Sequence, residues 1–394
     1  MSRYQLTVKA GLHDRMDCPV SVRLPLSPGD KVGRVELRNA ANRRRVPCQV
    51  NGAIDTEVRV TWIARHMRAG EEMTLVADVL PRRSHRAFAG AAGVVQLSDP
   101  ADGKVNIAVR GEAFTTYHYE GLPARPCFHP VRGPGGRHLT RDWPMADGPE
   151  GETRDHKHHR SLWIAHGDMN GVDNWSEESG HGRQIHREFA SLVSGPVYGQ
   201  LIARNDWVSS EGEKVCEETR HVTFYNTPED GRLVDFDIEF VPSEGDLVFG
   251  DTKEGGILSV RVATTMDGSR GGRIEISYGG LTEAESWGRR AAWCDYSGPV
   301  SGATVGLAIF DHLQSFRHPT YWHVRNYGLM TANPFGLSAF YNDPTRRGDH
   351  TLRAGERLWF HYRLYLHAGD ARQARVAARY NDYVNPPTVE VKPA

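Results

Sequence analysis

The dominant pattern along the chain is alternation. Tyr4-Gln5-Leu6-Thr7-Val8, Val20-Ser21-Val22-Arg23-Leu24 and Glu57-Val58-Arg59-Val60-Thr61-Trp62 switch between apolar and polar at every residue, and Met73-Thr74-Leu75-Val76 does so up to Leu75. That period of two is the mark of strands with one face buried. Pro28-Gly29-Asp30 and Asn51-Gly52 punctuate them as turns. Residues 1–90 are therefore expected to form a small β-sandwich domain. The Gly/Ala stretch Ala87 to Gly93 reads as a linker. Strands resume at Val94-Val95-Gln96-Leu97, and Pro100-Ala101-Asp102-Gly103-Lys104 carries hairpin-turn chemistry.

From Gly121 to Ser161 the period is lost. A loop that long inside a compact domain is functional or disordered, and its aromatic and histidine content points to an ordered, functional one. Alternation returns between Leu192 and Val260, as in Leu233-Val234-Asp235-Phe236-Asp237-Ile238-Glu239-Phe240. Near the C-terminus, Asp370 is a candidate N-cap for a helix over 371–383 that sets Val376, Ala377, Tyr380 and Tyr383 on one face. The expected fold is all-β: an N-terminal sandwich, a larger β-supersandwich over 91–394 carrying the site, and one C-terminal helix.

Composition narrows the partners. With 48 Lys plus Arg against 49 Asp plus Glu, the net charge of −1 gives no electrostatic pull toward nucleic acid or an anionic membrane. No run of about 20 apolar residues is present to span a bilayer, and the alternating N-terminus lacks an apolar signal core, so a cytoplasmic location is expected. Cys18, Cys48, Cys127, Cys216 and Cys294 are widely spaced with no CxxC pair, and read as reduced, packed thiols.

Histidine changes the picture. Nine of the 19 fall between His118 and His186, where an even spread would place about three. The densest run is Asp155-His156-Lys157-His158-His159-Arg160, followed by Trp163, His166 and Asp168. A second group holds Asp311-His312, Arg317-His318-Pro319 and Tyr321-Trp322-His323-Val324-Arg325; a third is Asp251-Thr252-Lys253-Glu254-Gly255-Gly256. Imidazole titrates near neutral pH and works as an acid or base when a carboxylate orients it. Arg and Lys hold oxygens or an oxyanion, and tryptophans such as Trp287 offer flat faces to a sugar ring. If the groups around 155–168 and 311–325 line one cavity, His159 or His166 should lie within about 10 Å of His312, His318 or His323, the scale of a small-ligand pocket. His156 and His158 could share a divalent metal if locally extended, although no HExxH or paired-Cys pattern is present.

Those stretches, with Ser286-Trp287-Gly288-Arg289-Arg290-Ala291 and Asn333-Pro334-Phe335-Gly336, resemble the bacterial PmoA-like family over roughly residues 95 to 370. Members of that family are often encoded beside sugar oxidoreductases and sugar transporters, and its all-β pattern is similar to the galactose-mutarotase-like supersandwich. The resemblance implies carbohydrate catabolism. The expected function is acid/base chemistry on a sugar or an oxidised 3-keto glycoside, ending in cleavage by elimination or hydrolysis, or in epimerisation. His159, His166 or Glu254 would remove a proton. Arg160, Arg325 or a metal would hold the enolate, and His318 or His323 would protonate the leaving oxygen. His156, Trp163, Asp168, Lys253, Trp287, His312 and Tyr321 would bind substrate alongside Arg160 and Arg325. The alternatives are a non-catalytic sugar-binding accessory protein and a metal-dependent oxygenase.

Overall fold

The computed structural model describes residues 2–26, 32–54, 56–81 and 94–394. The Pro28-Gly29-Asp30 turn and the Ala87 to Gly93 linker lie outside them. The fold is all-β, with the alternating segments in antiparallel strands. A five-stranded sheet (Ser2–Lys9, Val32–Asn39, Arg45–Val46, Glu72–Pro81 and Thr388–Pro393) faces a three-stranded one (Arg15–Pro25, Cys48–Ile54 and Glu57–Met67). The apolar half of each alternation, including Leu6, Val8, Val20, Val60, Trp62 and Leu75, fills the space between them. Thr388–Pro393 reaches this sheet from the far end of the chain and pairs with Ser2–Lys9. Asn51-Gly52 is not a turn. It sits inside Cys48–Ile54, where the pairing shifts register, the bulge an isolated strand glycine allows.

Two eight-stranded antiparallel sheets build the larger body. Both contribute inward residues to one core, among them Ile107, Phe128, Leu162 and Val260 from one sheet and Val222, Phe236, Leu307 and Phe360 from the other. The hairpin at 101–104 forms as expected: Asp102 and Gly103 take positive φ of 49° and 70° and Ala101 bridges Lys104, the backbone a two-residue hairpin turn requires.

The C-terminal helix runs Val376–Val384 and starts later than its apolar face implied. Asp370 does accept a cap-like bond, from Gln373 N at 2.9 Å, but it closes the turn ahead of the helix. Val376, Tyr380 and Tyr383 pack on Phe310 and Tyr365, covering part of the second sheet's outer face. Two further short helices, Glu283–Ser286 and Leu337–Tyr341, lie near the site. At four and five residues they are too short to leave a 3.6-residue period in the sequence. All five cysteines are free. Among the described residues, no helix is long and apolar enough to cross a membrane.

Candidate active site

The site grows from one face of the first large sheet. Leu162 and Ile164 point into the common core, so Trp163 and Ala165 point the other way. Cross-strand pairing then fixes a row on that outer face: Cys127 beside Trp163, Trp163 beside Ser259, Ser259 beside Thr331, and Thr331 beside His323. Two residues on, Arg261 stands beside Leu329. The Gly255-Gly256 pair lets the central strand sit this close: both have positive φ, and a Cβ on Gly256 would lie 2.4 Å from Ala332 O. The long 121–161 segment folds over this face without regular structure apart from Cys127–Phe128 and a short 3-10 turn.

The segment is held down by arginines. Arg141 and Arg261, both fully buried, donate to the same oxygen of Asp155 at 2.7 and 2.8 Å. The other Asp155 oxygen accepts from His156 Nδ1 at 2.5 Å. Burial opposes charge on Asp155, but the His156 bond and the two guanidinium groups outweigh it and hold the carboxyl well below the ordinary range. His156 is thus fixed in orientation, with Nε2 left to face solvent or a ligand. It is the exposed member of the cluster, and it keeps a left-handed φ of 48°, a cost that non-glycine residues bear where the surroundings over-determine them, often at functional sites.

His159 has a different role. Arg261 Nη1 donates to its Nδ1 at 3.1 Å. Arginine has no acceptor, so the ring is neutral with its proton on Nε2. Burial, reinforced by the neighbouring His158 and Arg261, pushes its pKa well down. Its ring stacks on His156 at 4.8 Å and on Trp163 at 5.4 Å. With Nδ1 accepting from Arg261 and Nε2 carrying the proton, neither ring nitrogen is open to accept a further proton. His166, the second expected base, is fully buried between Phe249 and Phe335, with Nε2 donating to Gly250 O at 3.1 Å. Burial lowers its pKa to about 4. Asp168 does not share its face; the chain turns and Asp168 accepts from Gly171 N at 2.9 Å.

Arg160, expected to hold an enolate, is buried and makes two bonds of 2.6 and 2.7 Å to Glu177. Of the expected residues, His156, His159 and Arg325 meet at Tyr327. Its ring stacks on His156 at 4.9 Å and lies 6.3 Å from His159, while Arg261 and Arg325 sit over it at 4.9 and 5.6 Å. His323 is buried 6.3 Å from the Trp287 ring. Burial, then the charges of Lys253, Arg325 and His156, lowers its pKa to about 3. Lys253 and Glu254 form a half-exposed ion pair with each other. Arg325 also meets Glu283 at 2.9 Å.

His312 and His318 contact other groups. His318 Nδ1 bonds Asp311 at 2.8 Å, and His312 packs on Tyr383 and His361. Tyr321 stacks on Phe340 and meets Tyr341 hydroxyl to hydroxyl at 3.3 Å. Sequence reasoning passed over Tyr327, Arg141 and Arg261. The two arginines lie in segments that read as loop and strand, with no local hint that both converge on Asp155. Among the described residues, no three His, Cys, Asp or Glu side chains are grouped to hold a metal ion.

The strand row and the segment folded over it fall within residues 104–381, the span over which the chain matches a family of unknown function, DUF6807. The chain belongs to that family; no link to the PmoA-like family is found. No curated protein matches the chain. Among solved structures it is similar to a protein in glycosyl hydrolase family 38 from Enterococcus faecalis, 11% identical, with a TM-score of 0.46 over 99% of this chain and 47% of that one. An alpha-mannosidase from Enterococcus faecalis V583 is 10% identical, with a TM-score of 0.44 over 99% and 46%. The chain spans about half the length of each.

Proposed function

We propose that the protein is a carbohydrate-active enzyme whose acid/base group is His156, oriented by Asp155. The observation that carries this reading is the 2.5 Å bond from His156 Nδ1 to a carboxylate itself pinned by two buried arginines. That arrangement sets the tautomer and leaves Nε2 to take or give a proton. The polar surroundings and the half-buried faces of Tyr327 and Trp287 suit a hydroxylated ring, and the resemblance of the motifs to the PmoA-like family implies sugar catabolism.

The reaction that fits is elimination from a 3-keto glycoside. His156 Nε2 takes the proton from C2, beside the carbonyl, and the electron pair moves to the carbonyl oxygen as an enolate. Arg325 and Lys253 stabilise that oxyanion. The enolate then expels the aglycone oxygen from C1, which receives the proton from His156. Turnover of 3-keto and ordinary glucosides by purified protein and by His156→Gln tests the proposal. Faster release of aglycone from the keto sugar, lost in the variant, supports it. Binding without turnover makes the protein an accessory sugar binder and overturns it.

A further inference from the structure

Another His–Asp pair, His138 with Asp142, lines a cleft. The cleft, of about 550 Å³, is lined by residues of 135–142, 149–152, 263–270 and 300–301. That size falls within the range of about 300–1,000 Å³ typical of small-molecule sites. On its wall, His138 Nδ1 donates to Asp142 at 2.9 Å, so His138 Nε2 is left for a ligand. The buried His129 stands 3.7 Å from the same carboxylate oxygen. Burial opposes the Asp142 charge, but the His138 bond outweighs it and holds this carboxyl low.

The cleft is built in advance. The Glu152 carboxylate accepts from the backbone N–H groups of Asp142 and Trp143 at 3.0 and 2.8 Å, fixing one wall. Arg137 donates to Val300 O at 3.0 Å and ties the opposite hairpin to the lip. With Glu152 and Arg137 committed to backbone and Arg270 giving one bond to Gly151 O at 3.3 Å, the groups with capacity left for a ligand are His138, the second oxygen of Asp142, Glu150, the rest of the Arg270 guanidinium and the hydroxyl of Thr265. Carboxylates and cations both occur among them, so neither sign of ligand charge is favoured. Ala263 and Val300 supply apolar surface beside them.

We infer that this cleft binds a neutral, hydroxyl-rich small molecule, a free sugar or sugar alcohol, at a site separate from His156. Apolar floor and mixed polar rim match the C–H face and hydroxyl edge of such a ring. The inference does not depend on the elimination reaction, and a protein without turnover would still show this binding.

Saturation-transfer NMR and calorimetry with glucose, sorbitol, glucuronate and glucosamine test it on the full chain. Thr265→Trp fills the cleft from an exposed position, and His138→Gln removes the dyad. The expected result is millimolar binding of glucose or sorbitol that weakens at least tenfold in both variants and stays within twofold in His156→Gln. Circular dichroism and urea midpoints matching wild type keep the comparison valid, and Arg270→Ala, an exposed change, serves as a further cleft variant if either first variant misfolds. The inference is overturned by no binding of either neutral probe at 100 mM, by unchanged binding in the cleft variants, or by tighter binding of glucuronate or glucosamine.

Discussion

Lowering the pH from 7.5 to 5.5 is expected to remove a large part of the protein's stability. His129, His166 and His323 are buried, and burial is the main reason their pKa values fall to about 4, about 4 and about 3. Unfolded, each returns to roughly 6.5. Between those limits the unfolded chain binds protons that the folded chain refuses, so stability falls as pH falls. At pH 5.5 each ring costs between about 1 and 2 kcal/mol, about 4 kcal/mol for the three, by proton linkage. His159 shifts in the same direction. Asp267 works the other way: burial raises its pKa to about 6, which favours the folded state by roughly 1 kcal/mol over the same interval. The net loss of about 3 kcal/mol is a large share of a typical 5–15 kcal/mol. Urea unfolding followed by tryptophan fluorescence at the two pH values measures it. Equal or greater stability at pH 5.5 would refute the claim that these rings are buried and neutral.

Arg160→Met leaves Glu177 buried with Arg125 3.9 Å away as its cation, and the expected cost is about 3–5 kcal/mol in the urea midpoint. Gly256→Ala forces a positive φ on alanine and drives a Cβ toward Ala332 O; a loss well above ~1 kcal/mol is expected in thermal unfolding, with turnover falling because the central strand carries Arg261. His166→Gln should cost roughly 0.5–3 kcal/mol in a denaturant titration while kcat/KM stays within a few-fold of wild type.

The strands were legible because one buried face imposes a period of two, and Leu6, Val60 and Phe236 all point into cores as that period requires. The histidine clusters were legible as clusters. Which rings face the site was not, because it depends on register and on contacts distant in sequence. A register shift between Ile164 and Ala165 interrupts the alternation just before His166, and that ring ends between two phenylalanines. Arg160 finds its partner 17 residues away and Arg261 finds Asp155 at 106. The pairing of Ser2–Lys9 with Thr388–Pro393 likewise joins opposite ends of the chain, beyond the reach of any local pattern.

The most direct test of the central claim follows the proton itself. A 3-keto glucoside with a slow leaving group, incubated in deuterated buffer, reports by NMR whether the hydrogen on C2 exchanges. The account predicts exchange with wild type and His166→Gln, and a rate lower by about 10²–10⁴-fold in His156→Gln, the usual worth of a general base. Exchange by His156→Gln at the wild-type rate, or none with the wild type, would contradict it.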